Sequence, residues 1–185
     1  YFSAVNSTSV TAAISKKFNI QLIADHGLHG GGIHSHSGSG TLNTHLDYSI
    51  HPKTMMERRV NFMYYLTNDH VEADGGHFGL WGNESPEKPG ELIKEIAPIC
   101  NTAVIFNTSQ FSWHGMSRIY EPSESKARNS LASYYLSEAR ENVQKHSRAK
   151  FYFRPEQSNN HEIKKLIEKR VSEDEHEMAY RKKSE

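Results

Sequence analysis

Residues 42–49 read LNTHLDYS, Leu42-Asn43-Thr44-His45-Leu46-Asp47-Tyr48-Ser49. In an extended chain successive side chains alternate between two faces, so His45 and Asp47, two apart, point the same way. An imidazole and a carboxylate then converge from one strand, read as Thr41 to Asp47. A third metal ligand must come from elsewhere. Ser112-Trp113-His114-Gly115-Met116 offers His114, which follows the apolar run Ala103 to Phe106 and a polar turn. Two histidines and one carboxylate on one face of an octahedron leave three open positions. A lone H-x-D recurs by chance, and its weight depends on its surroundings.

Those surroundings read as many short strands. Arg59 to Leu66, His77 to Trp81, Ala103 to Phe106 and Arg128 to Leu136 are rich in Val, Phe, Tyr and Leu. Turn signals such as Asp74-Gly75-Gly76 and Glu87-Lys88-Pro89-Gly90 separate them. This spacing predicts a sandwich or barrel such as a jelly roll. No long helices alternate with the strands, which argues against a doubly wound parallel sheet.

Helices are expected at the two ends. From about Ser9 to Ile23, Val10, Ala13, Ile14, Phe18 and Leu22 recur at helical spacing. From Asn160 onward the chain is heavily charged, with Ile163, Leu166, Ile167 and Val171 forming a stripe that suits a solvated helix docked on the barrel. The expected organisation is one domain over 1–185: a helical part to 25, a jelly-roll core over about 26–140, and a helical extension over about 141–185.

Between the first helix and LNTHLDYS lies HGLHGGGIHSHSGSG, residues 26–40, with His26, His29, His34 and His36. Twelve histidines in the chain invite a metal hypothesis here. Glycine makes this run too permissive for regular structure, and a loose loop lacks the rigidity that metal ligands require. It is therefore read as an entry loop, with His34 or His36 bordering a substrate pocket.

Bulk composition narrows the classes. The 185 residues suit one domain with a sizeable core. Lys plus Arg and Asp plus Glu both number 22, so no basic nucleic-acid footprint is evident. One cysteine, Cys100, cannot form an internal disulfide and suits a reducing compartment, so a cytoplasmic location is expected. The apolar runs are too short to span a bilayer, so no membrane role is expected. The oligomeric state is left open.

The stretches LNTHLDYS, RRVNFMYYLT, DGGHFGLW, AVIFNTSQFSWHGM and ARNSLASYYL, in that order, resemble the Fe(II)- and 2-oxoglutarate-dependent dioxygenases, in particular the prolyl-hydroxylase-like branch. The resemblance covers roughly residues 26–140. It implies a mainly β fold with flanking helices around a double-stranded β-helix, the jelly roll already expected from the strand pattern. It implies Fe(II) and 2-oxoglutarate as cofactor and cosubstrate, dioxygen as co-reactant, and ascorbate as a candidate reductant. By resemblance His45, Asp47 and His114 match the iron ligands. Arg128 matches the arginine that pairs with the distal carboxylate of 2-oxoglutarate. Ser130 completes an Arg-x-Ser pattern, and Tyr65 matches a tyrosine that adds a hydroxyl there. A planar, permanently charged guanidinium is the natural partner of a buried carboxylate.

The implied reaction hydroxylates an unactivated C–H bond of a protein prolyl residue or a small molecule, releasing succinate and carbon dioxide. Asp47 argues for hydroxylation, because related halogenases carry Ala or Gly at that position. One departure is His77, where relatives often have an acidic residue after the paired glycines. His77, Arg58 and His36 are the candidate substrate contacts. The alternatives are a cupin-like metal protein and a non-catalytic jelly-roll binding module. Cupins typically use more histidines with a glutamate, and an intact triad counts against a non-catalytic module.

Overall fold

Helix α1 spans Phe2–Val5 and helix α2 spans Thr8–Phe18. Ser7 caps α2, its side chain accepting from the Val10 amide at 3.4 Å, and Asn19 closes it in the left-handed region at φ 53°. That left-handed residue stops the helix at Phe18, short of the expected Ile23. The α2 stripe Val10, Ile14 and Phe18 packs with Leu22, Ala24, Val60 and Tyr135. The structure, a computed structural model, describes residues 1–145 and 148–171.

Ten strands follow: β1 Ile23–Ala24, β2 Gly32–Ser37, β3 His45–Leu46, β4 Glu57–Tyr65, β5 Phe78–Ser85, β6 Lys88–Ile96, β7 Ala103–Asn107, β8 His114–Met116, β9 Ala127–Ser137 and β10 Lys150–Phe151. The last described helix, α3, spans His161–Val171. The strands form two five-stranded antiparallel sheets. One runs β1-β9-β4-β7, with β2 also paired to β9, and the other runs β10-β3-β8-β5-β6. This is the expected jelly roll, mainly β with flanking helices. Tyr65, Phe78, Val104 and Phe106 pack together with Met63, Leu80 and Ile96. No helix among the described residues is long and apolar enough to cross a membrane.

Several expectations are corrected. The histidine- and glycine-rich run is not all loop, because Gly32–Ser37 forms β2, whose backbone pairs with Ala127–Ala132 of β9. Glycine permits irregular backbone but does not forbid a strand when a long partner is present. The expected strand from Thr41 shrinks to His45–Leu46. Around it the chain is still held, with Met116 N donating to Leu42 O and Tyr152 N to Thr44 O. The turn read at Glu87 to Gly90 is a two-residue turn at Pro86 and Glu87, and Lys88 onward is β6. Pro89 is tolerated there because β6 lies at a sheet edge.

The C-terminal extension is not helical throughout. Lys150–Phe151 adds an edge strand beside β3, and only His161–Val171 is described as helix. Along α3, Lys164 lies over Phe153 and Arg170 over Phe151. Residues 172–185 of the expected helix lie outside the described residues.

Candidate metal centre

Strands β3 and β8 are neighbours, and their register places His45 directly opposite His114. Cross-strand partners share a face, so both imidazoles enter the barrel together, ring centroids 4.4 Å apart. Asp47, two residues beyond His45, joins them. One ligand atom from each of the three lies within 4.8 Å of the others. Asp47 Oδ1 is 3.9 Å from His45 Nε2, and Oδ2 is 3.6 Å from His114 Nε2.

The rings are aimed by backbone carbonyls two residues earlier. His45 Nδ1 lies 2.9 Å from Asn43 O and His114 Nδ1 lies 2.8 Å from Ser112 O. A carbonyl only accepts, so Nδ1 carries the proton and the Nε2 lone pair faces Asp47, the tautomer a metal needs. Gly115 makes room for this, since a Cβ there would meet the same Asn43 carbonyl at 2.9 Å. Phe106 packs edge-on against His114 at 4.7 Å, and Phe151 of β10 stacks on His45 at 5.1 Å.

Burial and the neighbouring His114 push the His45 pKa down to about 4, outweighing the pull of Asp47. The ring is therefore neutral and ready to ligate at physiological pH. Burial opposes ionisation of Asp47, but Arg58 and the two imidazoles outweigh it and hold the carboxyl far below its usual range. Arg58 Nη1 lies 3.0 Å from Asp47 Oδ1.

Arg58 was expected at the substrate, and the structure places it elsewhere. It is buried behind Asp47, its guanidinium between the rings of Tyr48 and Tyr134 at 3.6 and 3.5 Å. Arg58 Nη2 and Tyr48 OH both donate to His29 O, and Tyr134 OH donates to Gly30 O. The opening loop is thus tied to the triad through its backbone carbonyls.

The face of β9 that looks inward carries Arg128, Ser130, Ala132 and Tyr134, which line a cavity of about 80 Å³ with the triad. Strand β2 sets His36 opposite Arg128 and His34 opposite Ser130, and both histidines line the cavity. Burial, reinforced by Arg128, lowers the His36 pKa. Arg128 Nε donates to Gly76 O at 2.8 Å. Gly76 has φ +69°, and a Cβ there would come within 2.7 Å of Arg128 Cδ, so only glycine admits this approach.

Tyr65 pairs with Ser130 across β4 and β9, and its ring lies 5.0 Å from the Arg128 guanidinium. The Tyr65 and Ser130 hydroxyls are both buried without a hydrogen-bond partner among the described residues. Burial pushes the Tyr65 hydroxyl up to about 12 despite Arg128, so it stays a donor. A cation and the orphaned Ser130 hydroxyl in the cavity, with the Tyr65 ring beside the guanidinium, fit an incoming carboxylate.

His77 is not brought to the cavity. Phe78 lines it, so strand alternation turns His77, Gly79 and Trp81 to the opposite face. The His77 ring is buried, with Nε2 4.0 Å from Glu72. A larger groove of about 630 Å³, lined by Trp81, Tyr152 and Arg154, shares only Met116 with the metal cavity and none of the triad.

Sequence reasoning missed Asn61, which donates from Nδ2 to Asp47 Oδ2 at 3.4 Å. The available signal was a carboxamide on the inward side of β4, in register with Met63 and Tyr65.

Comparison with known proteins places these residues in context. The profile of the 2OG-Fe(II) oxygenase superfamily matches residues 31–136, more than half of the chain. The prolyl 3-hydroxylase OGFOD1 of Xenopus laevis is 31% identical over 85 residues, covering 46% of this chain. The chain spans only 16% of that relative's length. Among solved structures, a prolyl 4-hydroxylase from Phytophthora capsici superposes with TM-score 0.51 at 17% identity, over 96% of this chain and 58% of that one. The prolyl hydroxylase of Trichoplax adhaerens, solved with a hypoxia inducible factor peptide fragment, gives TM-score 0.42 at 18% identity, over 63% and 46% of the two chains.

Proposed function

The chain belongs to the 2OG-Fe(II) oxygenase superfamily, and from that premise we propose that it hydroxylates a prolyl residue of a polypeptide at an iron held by His45, Asp47 and His114. The observation that carries the reading is the convergence of three ligand atoms within 4.8 Å, two of them imidazole nitrogens whose tautomer is set by backbone carbonyls. The whole chain is taken as one oxygenase domain.

Iron and 2-oxoglutarate, when bound, supply the oxidising power for an unactivated C–H bond. One atom of dioxygen goes to the substrate as hydroxyl and the other to succinate, with loss of carbon dioxide. The chain's own residues hold and orient. Arg128, Ser130 and Tyr65 grip the far carboxylate of 2-oxoglutarate. Arg58 keeps Asp47 ionised and fixed. Phe78, Phe106 and Phe151 shield the imidazoles from water.

Two points favour a peptidyl prolyl substrate. The relative of greatest sequence identity reported above is named a prolyl 3-hydroxylase. Also, among the described residues that line the cavity, Asp47 and Arg128 are the only Asp, Glu, Lys or Arg, and both already have roles. A free amino acid would need a further cation and anion for its own charges, whereas a residue within a peptide presents neither. His34 and His36 then border the substrate as neutral hydrogen-bonding groups. A cytoplasmic location is part of the proposal, resting on the single free thiol of Cys100.

The test is incubation with proline-containing peptides, Fe(II), 2-oxoglutarate and labelled dioxygen. A peptide gaining one labelled oxygen, matched by succinate, supports the reading. Succinate coupled instead to a free amino acid or another small metabolite, with peptides inert, would overturn the substrate assignment.

A further inference from the structure

Asn61 sits where the barrel calls for an apolar side chain. It is 3% exposed and shares the inward side of β4 with Met63 and Tyr65. Burying a carboxamide is unfavourable unless both its ends are satisfied. One end is: Nδ2 donates to Asp47 Oδ2. The other is not: Oδ1 is buried with no partner among the described residues.

The orientation of the amide follows from its hydrogen bond. Nδ2 donates to Asp47 Oδ2, and a carboxylate that ligates a metal only accepts, so Oδ1 turns away. Asp47 is then gripped twice, by Arg58 on Oδ1 and by Asn61 on Oδ2. The unpaired Oδ1 needs a donor. Tyr134 lines the same cavity, but its hydroxyl is committed to Gly30 O. Met63 and Ala132 have no side-chain donor to offer. A peptidyl proline has no N–H either. The cavity's other donors, Arg128, Ser130, His34 and His36, are assigned above to 2-oxoglutarate and the substrate, which leaves water.

We infer that Asn61 is a positioning residue for the metal centre, its N–H steering the second oxygen of Asp47 and its Oδ1 accepting from a water molecule on the open side of the metal. The inference rests on the triad reading above.

Cobalt(II), which reports its coordination number in the visible spectrum, tests this in the full chain with 2-oxoglutarate present. Asn61→Thr keeps a hydroxyl on a β-branched frame, and Asn61→Val has the same shape without it. Asn61→Thr should bind Co(II) near the wild-type affinity with a weak six-coordinate spectrum. Asn61→Val should bind about tenfold more weakly and show the stronger bands of a five-coordinate ion, its thermal midpoint without metal being no lower. Identical affinity and spectra for the two variants would overturn the inference while leaving the triad intact. Failure of the wild-type chain to bind Co(II) would instead overturn the triad reading and the inference with it.

Discussion

Arg58 Nη1 lies 3.0 Å from Asp47 Oδ1, and the same guanidinium is held between Tyr48 and Tyr134 while Nη2 reaches the carbonyl of His29. One buried cation therefore joins the metal strand, strand β4 and the histidine-rich loop. Removing it leaves the buried Asp47 carboxyl without its paired cation. Arg58→Ala should lower the stability of the metal-free chain by about 3–5 kcal/mol, measured by urea denaturation. Arg58→Lys keeps the charge but loses the planar stacking and the forked hydrogen bonds. It should fall between wild type and Arg58→Ala. A loss below about 1 kcal/mol in Arg58→Ala, as for an exposed pair, would refute the clamp.

The loop contributes the His29 and Gly30 carbonyls to this clamp, and the His29 ring packs edge-on against Tyr48, outside the triad. His26→Gln combined with His29→Gln should bind one equivalent of Fe(II) with wild-type affinity by anaerobic titration. Loss of the bound equivalent would return the metal site to the histidine-rich run.

At the other end of the cavity, Arg128 gives the strongest interaction with a carboxylate. Arg128→Ala should raise the 2-oxoglutarate requirement by about tenfold or more, since a hydrogen bond to a charged group contributes ~1.5–3 kcal/mol. Tyr65→Phe and Ser130→Ala should each raise it less. Iron affinity measured without 2-oxoglutarate should not change in any of the three. An unchanged requirement in Arg128→Ala would move the anchor elsewhere.

His77 gives a pH signature apart from catalysis. Burial and Arg118 lower its pKa, against the opposing pull of Glu95 and Glu72. The unfolded chain then takes up a proton below about pH 6.5, while the folded ring resists it. Stability from the neutral ring is full above that pH and declines as pH falls, by at most about 1.4 kcal/mol per unit. His77→Leu should flatten this acid limb in pH-dependent denaturation and leave the 2-oxoglutarate requirement unchanged. An acid limb identical to wild type would show that His77 does not titrate there.

The sheet architecture and the residues of the cavity were largely legible, because both rest on alternation. His45 with Asp47 and Arg128 with Ser130 are pairs two apart, and the barrel points each pair inward. What was not legible depends on pairing across long loops. Strand β2 forms only because β9 lies beside it, almost a hundred residues away. Arg58 was misplaced because the strand was read from Arg59, whereas β4 begins at Glu57 and carries Arg58 into the interior beside Asp47. His77 was misplaced for another reason: which face of β5 meets the cavity depends on its pairing with β8. Asn61 was overlooked because one polar residue in an apolar strand has no meaning until Asp47 stands beside it.

The most direct measurement is the anaerobic visible spectrum of the chain with Fe(II) and 2-oxoglutarate, compared with His45→Ala, Asp47→Ala and His114→Ala. A weak charge-transfer band is expected in the wild-type chain, requiring both components, and is expected to be absent in each variant. A band that persists undiminished when His114 is replaced would contradict the triad.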